Sequence, residues 1–251
     1  MLILLPPSET KRVGGEGPAL ALDGLALPSL HAVREDVVAA LVALSARPDD
    51  AARVLKLGPR QRDQIAVNAG LRSAATMPAM DRYTGVLFDA LDPGTLGDAE
   101  RAWLGRHALI HTAPFGPVGV LDGIPSYRLA AGASLPGVPP LRRAWAPAVT
   151  EALAGVDAPF VLDLRSEAYV ALGPVPPAAA SAYIRVVSDD GSGSGARALN
   201  HFNKRAKGEL VRALAKNAPV IASGEDLLAW AAAARVDLRR TPDPRVWHLV
   251  V

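Results

Sequence analysis

Short apolar runs alternate along this chain with longer segments in which apolar residues recur every three or four positions. Continuous apolar runs of this length are typical of buried strands, and they predict strands at residues 2–5, 108–112, 160–164, 183–188 and 219–222. The helical period predicts helices at residues 29–46, 49–57, 59–75, 83–91, 98–106, 141–154 and 225–235. Residues 236–240 and 245–250 flank a Pro-containing turn and predict a terminal hairpin.

The order of these elements predicts the fold class. Helices and strands alternate irregularly, without the strand–helix–strand rhythm of a doubly wound sheet. We therefore expect an α/β fold of the mixed, α+β-like type, with one domain over residues 1–251 and a mixed sheet flanked by helices. Pro147 is expected to end or kink its helix. Residues 113–140 are rich in Pro and Gly, and such long loops are usually functional or contain short strands.

The segment 189–216 begins with a Gly/Ser-rich stretch, 189–195, which is predicted to be a flexible turn, and then passes into a helix. On a helical wheel one arc of about 120° is apolar, and it holds Leu199, Phe202, Ala206, Leu210, Ala213 and Leu214. The remaining surface is cationic, and it holds His201, Lys204, Arg205, Lys207, Arg212 and Lys216, with Glu209 as its acidic residue. Solvated faces usually mix charge signs, and helix N-termini favour anions, so this face predicts a phosphate-binding surface. A solvated face without a function is the open alternative.

Composition narrows the chemistry. The chain has 22 Arg and 5 Lys, yet the net charge is only +2, so a uniformly basic nucleic-acid trap is not indicated. Cysteine is absent, which excludes disulfides, thiolate nucleophiles and cysteine-ligated metals. We expect no cofactor. The apolar N-terminus is interrupted by Pro6 and Pro7 and lacks the features of a secretory signal, and later apolar runs are too short to cross a bilayer, so a cytoplasmic location is expected.

Five short motifs in the same order resemble the YaaA family of bacterial peroxide-stress resistance proteins. They are the opening residues 1–11, the Asp-x-Tyr-x-Gly segment at 81–85, the central loop 115–129, the Ser166-Glu167-x-Tyr169 segment and the late basic motif at 202–208. The resemblance covers essentially the whole chain. It implies protection during hydrogen peroxide stress, a link to limiting free iron and oxidative DNA damage, and a mixed α/β fold with a positively charged cleft for which DNA binding has been proposed.

The residues that match these motifs define the expected site. The phosphate-binding group is Lys11, Arg128, His201, Lys204, Arg205 and Lys207. The other residues of the cleft are Ser8, Tyr83, Tyr127, Ser166 and Tyr169, whose tyrosines either stack on bases or simply pack. Glu9 and Gly119 stand where members commonly carry Lys and Arg, so the resemblance implies a less positive cleft in this chain.

Two other functions stay open at this point. The first is an enzyme that acts on a small nucleotide or nucleobase, with Glu167 or Asp122 as general acid or base; Glu167 could instead pair with Arg128. The second is a protein-interaction module with a solvated basic helix. His107 and His111 would be spaced to bind a metal on a helix, but the apolar residues between them favour a strand, so no metal site is expected. DNA or a nucleotide is the expected partner, membranes are not, and a monomer is expected although the sequence leaves the oligomeric state open.

Overall fold

The structure of the protein is a computed structural model that describes residues 1–188 and 196–251, without the side chains of residues 196–201. The turn predicted at 189–195, and the side chains of Leu199 and His201, lie outside the described residues. The described strands are β1 Leu2–Leu5, β2 Gly17–Ala19, β3 Ala75–Pro78, β4 Ala108–Thr112, β5 Gly116–Gly119, β6 Gly123–Ile124, β7 Val161–Asp163, β8 Ser181–Val187, β9 Leu238–Arg240 and β10 Val246–Val250. The described α-helices are α1 His31–Ser45, α2 Pro48–Val54, α3 Asp63–Ala69, α4 Ala79–Arg82, α5 Val86–Leu91, α6 Asp98–His107, α7 Leu141–Ala154, α8 Glu167–Val170, α9 Ala196–Asn217 and α10 Gly224–Ala233.

The predicted mixed α/β class is confirmed. A seven-stranded sheet has the order β5-β4-β1-β7-β8-β10-β9, and its five inner strands run parallel. The two edge strands, β5 and β9, are antiparallel to their neighbours. A small antiparallel sheet, β2-β3-β6, lies beside it. Residues 3–5 of β1 are fully buried at the centre of one hydrophobic core, as expected for a strand covered on both faces.

Several local predictions are wrong, and the reasons are physical. Residues 59–75 form a shorter α3, and the chain then turns to enter β3. The segment 219–222 is not a strand, and Val220 is 94% exposed. Pro147 does not interrupt α7, which continues to Ala154. It lies on the exposed side of the helix, where water can hydrogen-bond to the carbonyl oxygen that loses its N–H donor. Residues 196–217 are helical throughout, as α9.

The loop at residues 113–140 contains β5 and β6 and is held in place by two buried arginines. Arg34 of α1 donates to the carbonyl oxygens of Phe115 at 2.9 Å and Pro117 at 2.9 Å. Arg82 of α4 donates to the carbonyl of Ile124 at 3.0 Å. Both side chains are fully buried. Since a buried guanidinium needs acceptors for its donors, these bonds fix the Pro/Gly-rich loop against the N-terminal half. No described helix is long and apolar enough to cross a membrane.

Candidate functional site

The candidate site lies at the carboxyl ends of β1 and β7. These strands are parallel neighbours at the centre of the sheet, yet the chain continues from β1 to β4 on one side and from β7 to β8 on the other. Such a change of direction leaves a crevice outside the carboxyl ends of the two strands, where open α/β sheets usually bind ligands. The segments that follow β1 and β7 contain Ser8, Glu9, Lys11, Ser166 and Tyr169. We call this region the crevice.

Lys11 is half-buried in the crevice above two tyrosine rings. Its Nζ donates to the carbonyl oxygens of Ser8 at 3.0 Å and Glu9 at 3.2 Å. The same atom lies 4.1 Å from the ring centroid of Tyr127 and 5.5 Å from that of Tyr83. Burial, with the nearby charge of Arg128, lowers the pKa of Lys11 to about 7, although the Glu9 carboxylate partly opposes this shift.

Tyr83 and Tyr127 form the floor beneath Lys11. Their hydroxyl oxygens are hydrogen-bonded at 2.7 Å, and each side chain is only 2% exposed. Burial raises the pKa of both tyrosines, so both hydroxyls stay protonated near neutral pH. Of the two readings of these tyrosines, packing is the one that fits, because rings this buried have no face free for a base.

Arg128 is held by its backbone as well as by its side chain. The buried amide of Asn68 accepts from the Arg128 N–H at 2.8 Å and donates to the Arg128 carbonyl at 2.8 Å. The guanidinium donates to the Glu9 carboxylate at 3.2 Å. Glu167 does not occupy this place, so the proposed Glu167–Arg128 pair is wrong; Glu167 lies 3.9 Å from Arg185 instead. Lys11 and Arg128, from distant parts of the chain, therefore do meet in one crevice.

A buried polar chain continues from the crevice under the end of β1. Arg165 donates to both carboxylate oxygens of Asp163, at 2.9 and 2.7 Å, and to the carbonyl of Gly173. Its Nη1 also lies 2.9 Å from Nδ1 of His111, whose ring is 5.9 Å from that of half-buried Tyr169. Burial and the charge of Arg165 lower the pKa of His111 well below its ordinary value, so the ring is neutral and Nδ1 accepts the bond.

The helix α9 contributes a buried lysine rather than an exposed one. Lys207 is 5% exposed and lies 5.6 Å from the ring centroid of Tyr183. Burial lowers its pKa to about 8, against the opposing charge of Asp163. The wheel placed Lys207 on the solvent face and Phe202 in the core, and both placements are wrong, since Phe202 is 55% exposed. The reason is that α9 packs on two sides: it contacts the sheet at β8, and Gly208 presses against the Leu87 carbonyl of α5.

The remaining cations of α9 fall into two groups. Arg212 and Lys216 support the fold: Arg212 donates to the Leu91 carbonyl at 2.8 Å, and Lys216 pairs with Glu100 at 2.9 Å. Lys204 and Arg205 are exposed. Arg205 pairs with Glu209 at 2.8 Å, whereas Lys204 forms no ion pair with any residue that the structure describes. Neither contacts Lys11 or Arg128 within the described part of the chain.

The two carboxylates considered for catalysis have different surroundings. Asp122 accepts from the backbone N–H groups of Ala26 and Gly119, both at 2.7 Å, and therefore ties two loops together far from the ends of β1 and β7. Glu167 is 82% exposed on α8 and lines a depression of about 240 Å³ together with Tyr183 and Arg185. The neighbouring Ser166 is exposed, and half-buried Ser8 shares a 3.2 Å hydrogen bond with Thr10.

Sequence reasoning missed three residues that shape this site: Asn68, Asp163 and Arg165. The last two carry a usable signal, because a charged pair that follows a buried strand in a parallel sheet marks the edge where sites occur. No group of metal-binding side chains occurs among the described residues. His107 ends α6 and bonds through Nδ1 to the Met1 carbonyl at 2.9 Å, while His111 lies in β4, so the two do not form a metal pair.

The fold and the crevice together define a mixed α/β protein with cationic and aromatic residues at the switch point of a largely parallel sheet. A family profile described as "Peroxide stress protein YaaA" matches residues 1–233. The chain therefore belongs to the YaaA family of peroxide stress proteins, as the five motifs indicated.

Individual relatives agree with this assignment. A UPF0246 protein of Corynebacterium efficiens is 48% identical over 219 residues, which cover 86% of this chain and 85% of that protein. A UPF0246 protein of Corynebacterium glutamicum is 40% identical over 247 residues, covering 97% and 96% of the two chains. A UPF0246 protein of Streptomyces coelicolor is 42% identical over 221 residues, covering 85% and 82%.

Proposed function

We propose that this protein acts in the cytoplasm during peroxide stress by binding a phosphate-bearing ligand in the crevice, with duplex DNA as the first candidate. The observation that carries the proposal is the meeting of Lys11 and Arg128 at the carboxyl ends of β1 and β7. Ligands of open α/β sheets bind at this position, and cations whose surroundings oppose their charge are frequent at functional sites.

A phosphate fits this arrangement chemically. Lys11 donates to two backbone carbonyls and has no carboxylate within ion-pair distance among the described residues. A bound anion would favour its charged form. Arg128 offers a planar fork that suits phosphate oxygens. Its partner Glu9 is 77% exposed, so the carboxylate can turn into solvent when a phosphate takes its place.

Lys204 and Arg205 of α9 would extend this site towards a longer polyanion. Lys204 and Arg205 are both exposed, and the ring of Phe202 is exposed beside them. Cations next to an exposed aromatic ring are the usual elements of nucleic-acid surfaces. A duplex that contacted both the crevice and α9 would use more cations than a mononucleotide can reach, which favours DNA as the ligand.

The salt dependence of binding tests this proposal. A duplex is titrated in gel-shift experiments between 50 and about 200 mM salt with wild type, with Lys204→Ala/Arg205→Ala, and with the control Arg106→Ala/Arg240→Ala. The control removes the same charge from exposed positions at the opposite edge of the sheet. We expect the α9 double variant to bind more weakly and to lose about 1.8 from the slope of log K against log salt, that is about 0.9 for each of two phosphates. Equal losses in both variants, or no binding by wild type, would dismiss the DNA proposal.

Catalysis on a small nucleotide or nucleobase is the second candidate. The observation that favours it is the exposed Glu167 beside Tyr183 and Arg185 at the depression on α8. Asp122 is a poor candidate because both of its short bonds go to backbone amides. Release of a free base from a nucleotide by wild type, and its loss in Glu167→Gln, would support this function over simple binding.

A further inference from the structure

We propose that Lys11 is a nucleophile that forms a Schiff base with an aldehyde carried on a phosphorylated sugar. The inference rests on the proposed function for its phosphate, which Arg128 would hold. The geometry supports it: the amine is fixed by the carbonyls of Ser8 and Glu9, lies over the Tyr127 ring, and remains half-exposed to the crevice. Lysine nucleophiles are activated by desolvation or by a neighbouring cation, and Lys11 has both, through its burial and through Arg128.

Lys11 differs from the other four lysines in its surroundings. Lys56, Lys204 and Lys216 are exposed, where water stabilises the ammonium form. Lys207 is buried too deeply to reach a substrate, and the charge of Asp163 favours its protonated form. Lys11 alone among the lysines combines partial exposure with a desolvated, carboxylate-poor environment. Its lowered pKa, about 7, means that much of the amine is neutral in neutral solution.

The chemical step balances without an oxidant or a cofactor. The neutral amine attacks the carbonyl carbon, so a C–N bond forms while the electron pair of the C=O bond moves to oxygen, which takes up a proton. Loss of that oxygen as water leaves an imine, and the net reaction is amine plus aldehyde to imine plus water. The nitrogen gives up the two protons that leave with that oxygen as water. The hydroxyls of Tyr83 and Tyr127 stay protonated and keep the floor of the site neutral.

Two sources provide this ligand chemistry. One is a free sugar phosphate in its open aldehyde form. The other is the ring-opened deoxyribose of an abasic site in DNA, which carries an aldehyde between two phosphates. In both, the aldehyde lies within a few bonds of a phosphate, which matches the placement of an amine and a guanidinium in one crevice. The two sources are separated by the experiment.

Reductive trapping tests the inference. Wild type is incubated separately with ribose 5-phosphate and with a duplex containing one abasic site, sodium borohydride converts any imine to a stable amine, and peptide mass mapping locates the adduct. We expect the adduct on Lys11, and about a tenfold or greater loss of trapping in Lys11→Arg, which keeps a charge but lacks the amine nucleophile. We also expect weaker trapping in Arg128→Ala. The matched control Lys56→Arg, at an exposed lysine outside the proposed site, should trap like wild type.

The outcomes separate this inference from the proposed function. Adducts on Lys11 with the sugar phosphate alone, without binding of an intact duplex, would uphold the inference and dismiss DNA as the ligand. Binding of an intact duplex without any adduct would uphold the proposed function and overturn the inference. Adducts spread over several lysines, or confined to the Met1 amine, would also overturn it. Because mapping is done on wild type, the result does not depend on whether a variant folds.

Discussion

The two edges of the seven-stranded sheet both carry cations beside aromatic rings, yet they differ in what those cations contact. At the amino edge, where β7, β8 and β10 begin, there is a groove of about 640 Å³. Its Arg245 donates to the carbonyls of Pro176 and Ala179 and to the Ser181 hydroxyl. Its Arg240 pairs with Glu225. At the carboxyl edge, Lys11 is held in the crevice without an ion-pair partner among the described residues.

This difference shows that the contacts of the cations, rather than the presence of a groove, distinguish the two edges. The arginines of the amino edge are saturated by protein oxygens, and a ligand would have to displace those bonds. The carboxyl edge instead combines a switch point in the strand order with two lysines whose pKa is lowered by burial. An anionic ligand is stabilised most beside cations that have no carboxylate partner in the protein. The crevice is therefore the better candidate.

The largest expected effect is a difference in the free energy of unfolding between one variant at each edge of the sheet. Arg165→Leu removes the partner of buried Asp163 and should lower the free energy of unfolding by about 3–5 kcal/mol. The matched change at the amino edge, Arg245→Leu, removes only hydrogen bonds to neutral oxygens that water can reach, so we expect about 1–2 kcal/mol. Urea unfolding measures both. Similar losses in the two variants would show that the polar chain of the crevice is not a special structural feature.

A second comparison concerns the two carboxylates. Asp122→Ala leaves the N–H groups of Ala26 and Gly119 without their acceptor and should cost about 1.5–3 kcal/mol. Glu167→Gln changes an exposed side chain and should leave stability almost unaltered. Thermal and urea unfolding of the pair decide this. If Asp122→Ala were as stable as wild type, its role in tying the loops would be wrong.

The last comparison concerns the slope of stability against pH rather than a loss of stability at one pH. Lys11 has a pKa of about 7 in the fold against an ordinary value of 10.5, so between these values the unfolded chain binds more protons and the free energy of unfolding rises with pH. Tyr83 and Tyr127 have raised pKa values and reverse the trend above about pH 10. The charges of Arg128, Glu9 and Arg82 also act on Lys11, and Tyr83 and Tyr127 lie beneath it.

Lys11→Met should therefore flatten the rise that begins near pH 7, while the rise from Lys207, whose pKa is about 8, remains. Urea unfolding at closely spaced pH values measures the slope. The control Lys204→Met changes an exposed lysine and should leave the curve as in wild type. An unchanged slope in Lys11→Met would mean that Lys11 is hydrated in the fold.

The sequence predicted the framework well, because burial on both faces leaves a plain apolar signal. The runs at 2–5 and 108–112 are β1 and β4 almost to the residue, and the terminal hairpin is present as β9 and β10. The segment 141–154 is α7 even with Pro147 inside it, since Trp145 and Val149 anchor its buried face. The family assignment also followed from short motifs in order.

The arrangement of the site was harder to predict, because it depends on contacts between distant segments. A helical wheel gives the apolar face of α9 but not its partners, and Gly208 against α5 turned Lys207 inwards. A charged residue carries no local signal of burial in the sequence, yet Arg34, Arg82 and Arg165 are fully buried among oxygen acceptors. No local pattern specifies which carbonyls will surround a guanidinium. Lys11 and Arg128 were placed together by resemblance, and their separation of 117 positions gives no local signal of contact.

The two hydrogen bonds between Asn68 and the backbone of Arg128 have a consequence for recognition. These bonds fix both peptide groups of Arg128, so the conformational entropy of this part of the loop is lost when the chain folds. We therefore expect little further loss of entropy when the proposed phosphate ligand binds. A binding residue that is held rigidly in this way lowers the dissociation rate of a ligand more than it raises the association rate. We therefore expect Asn68 to lengthen the residence time of the proposed phosphate ligand through Arg128.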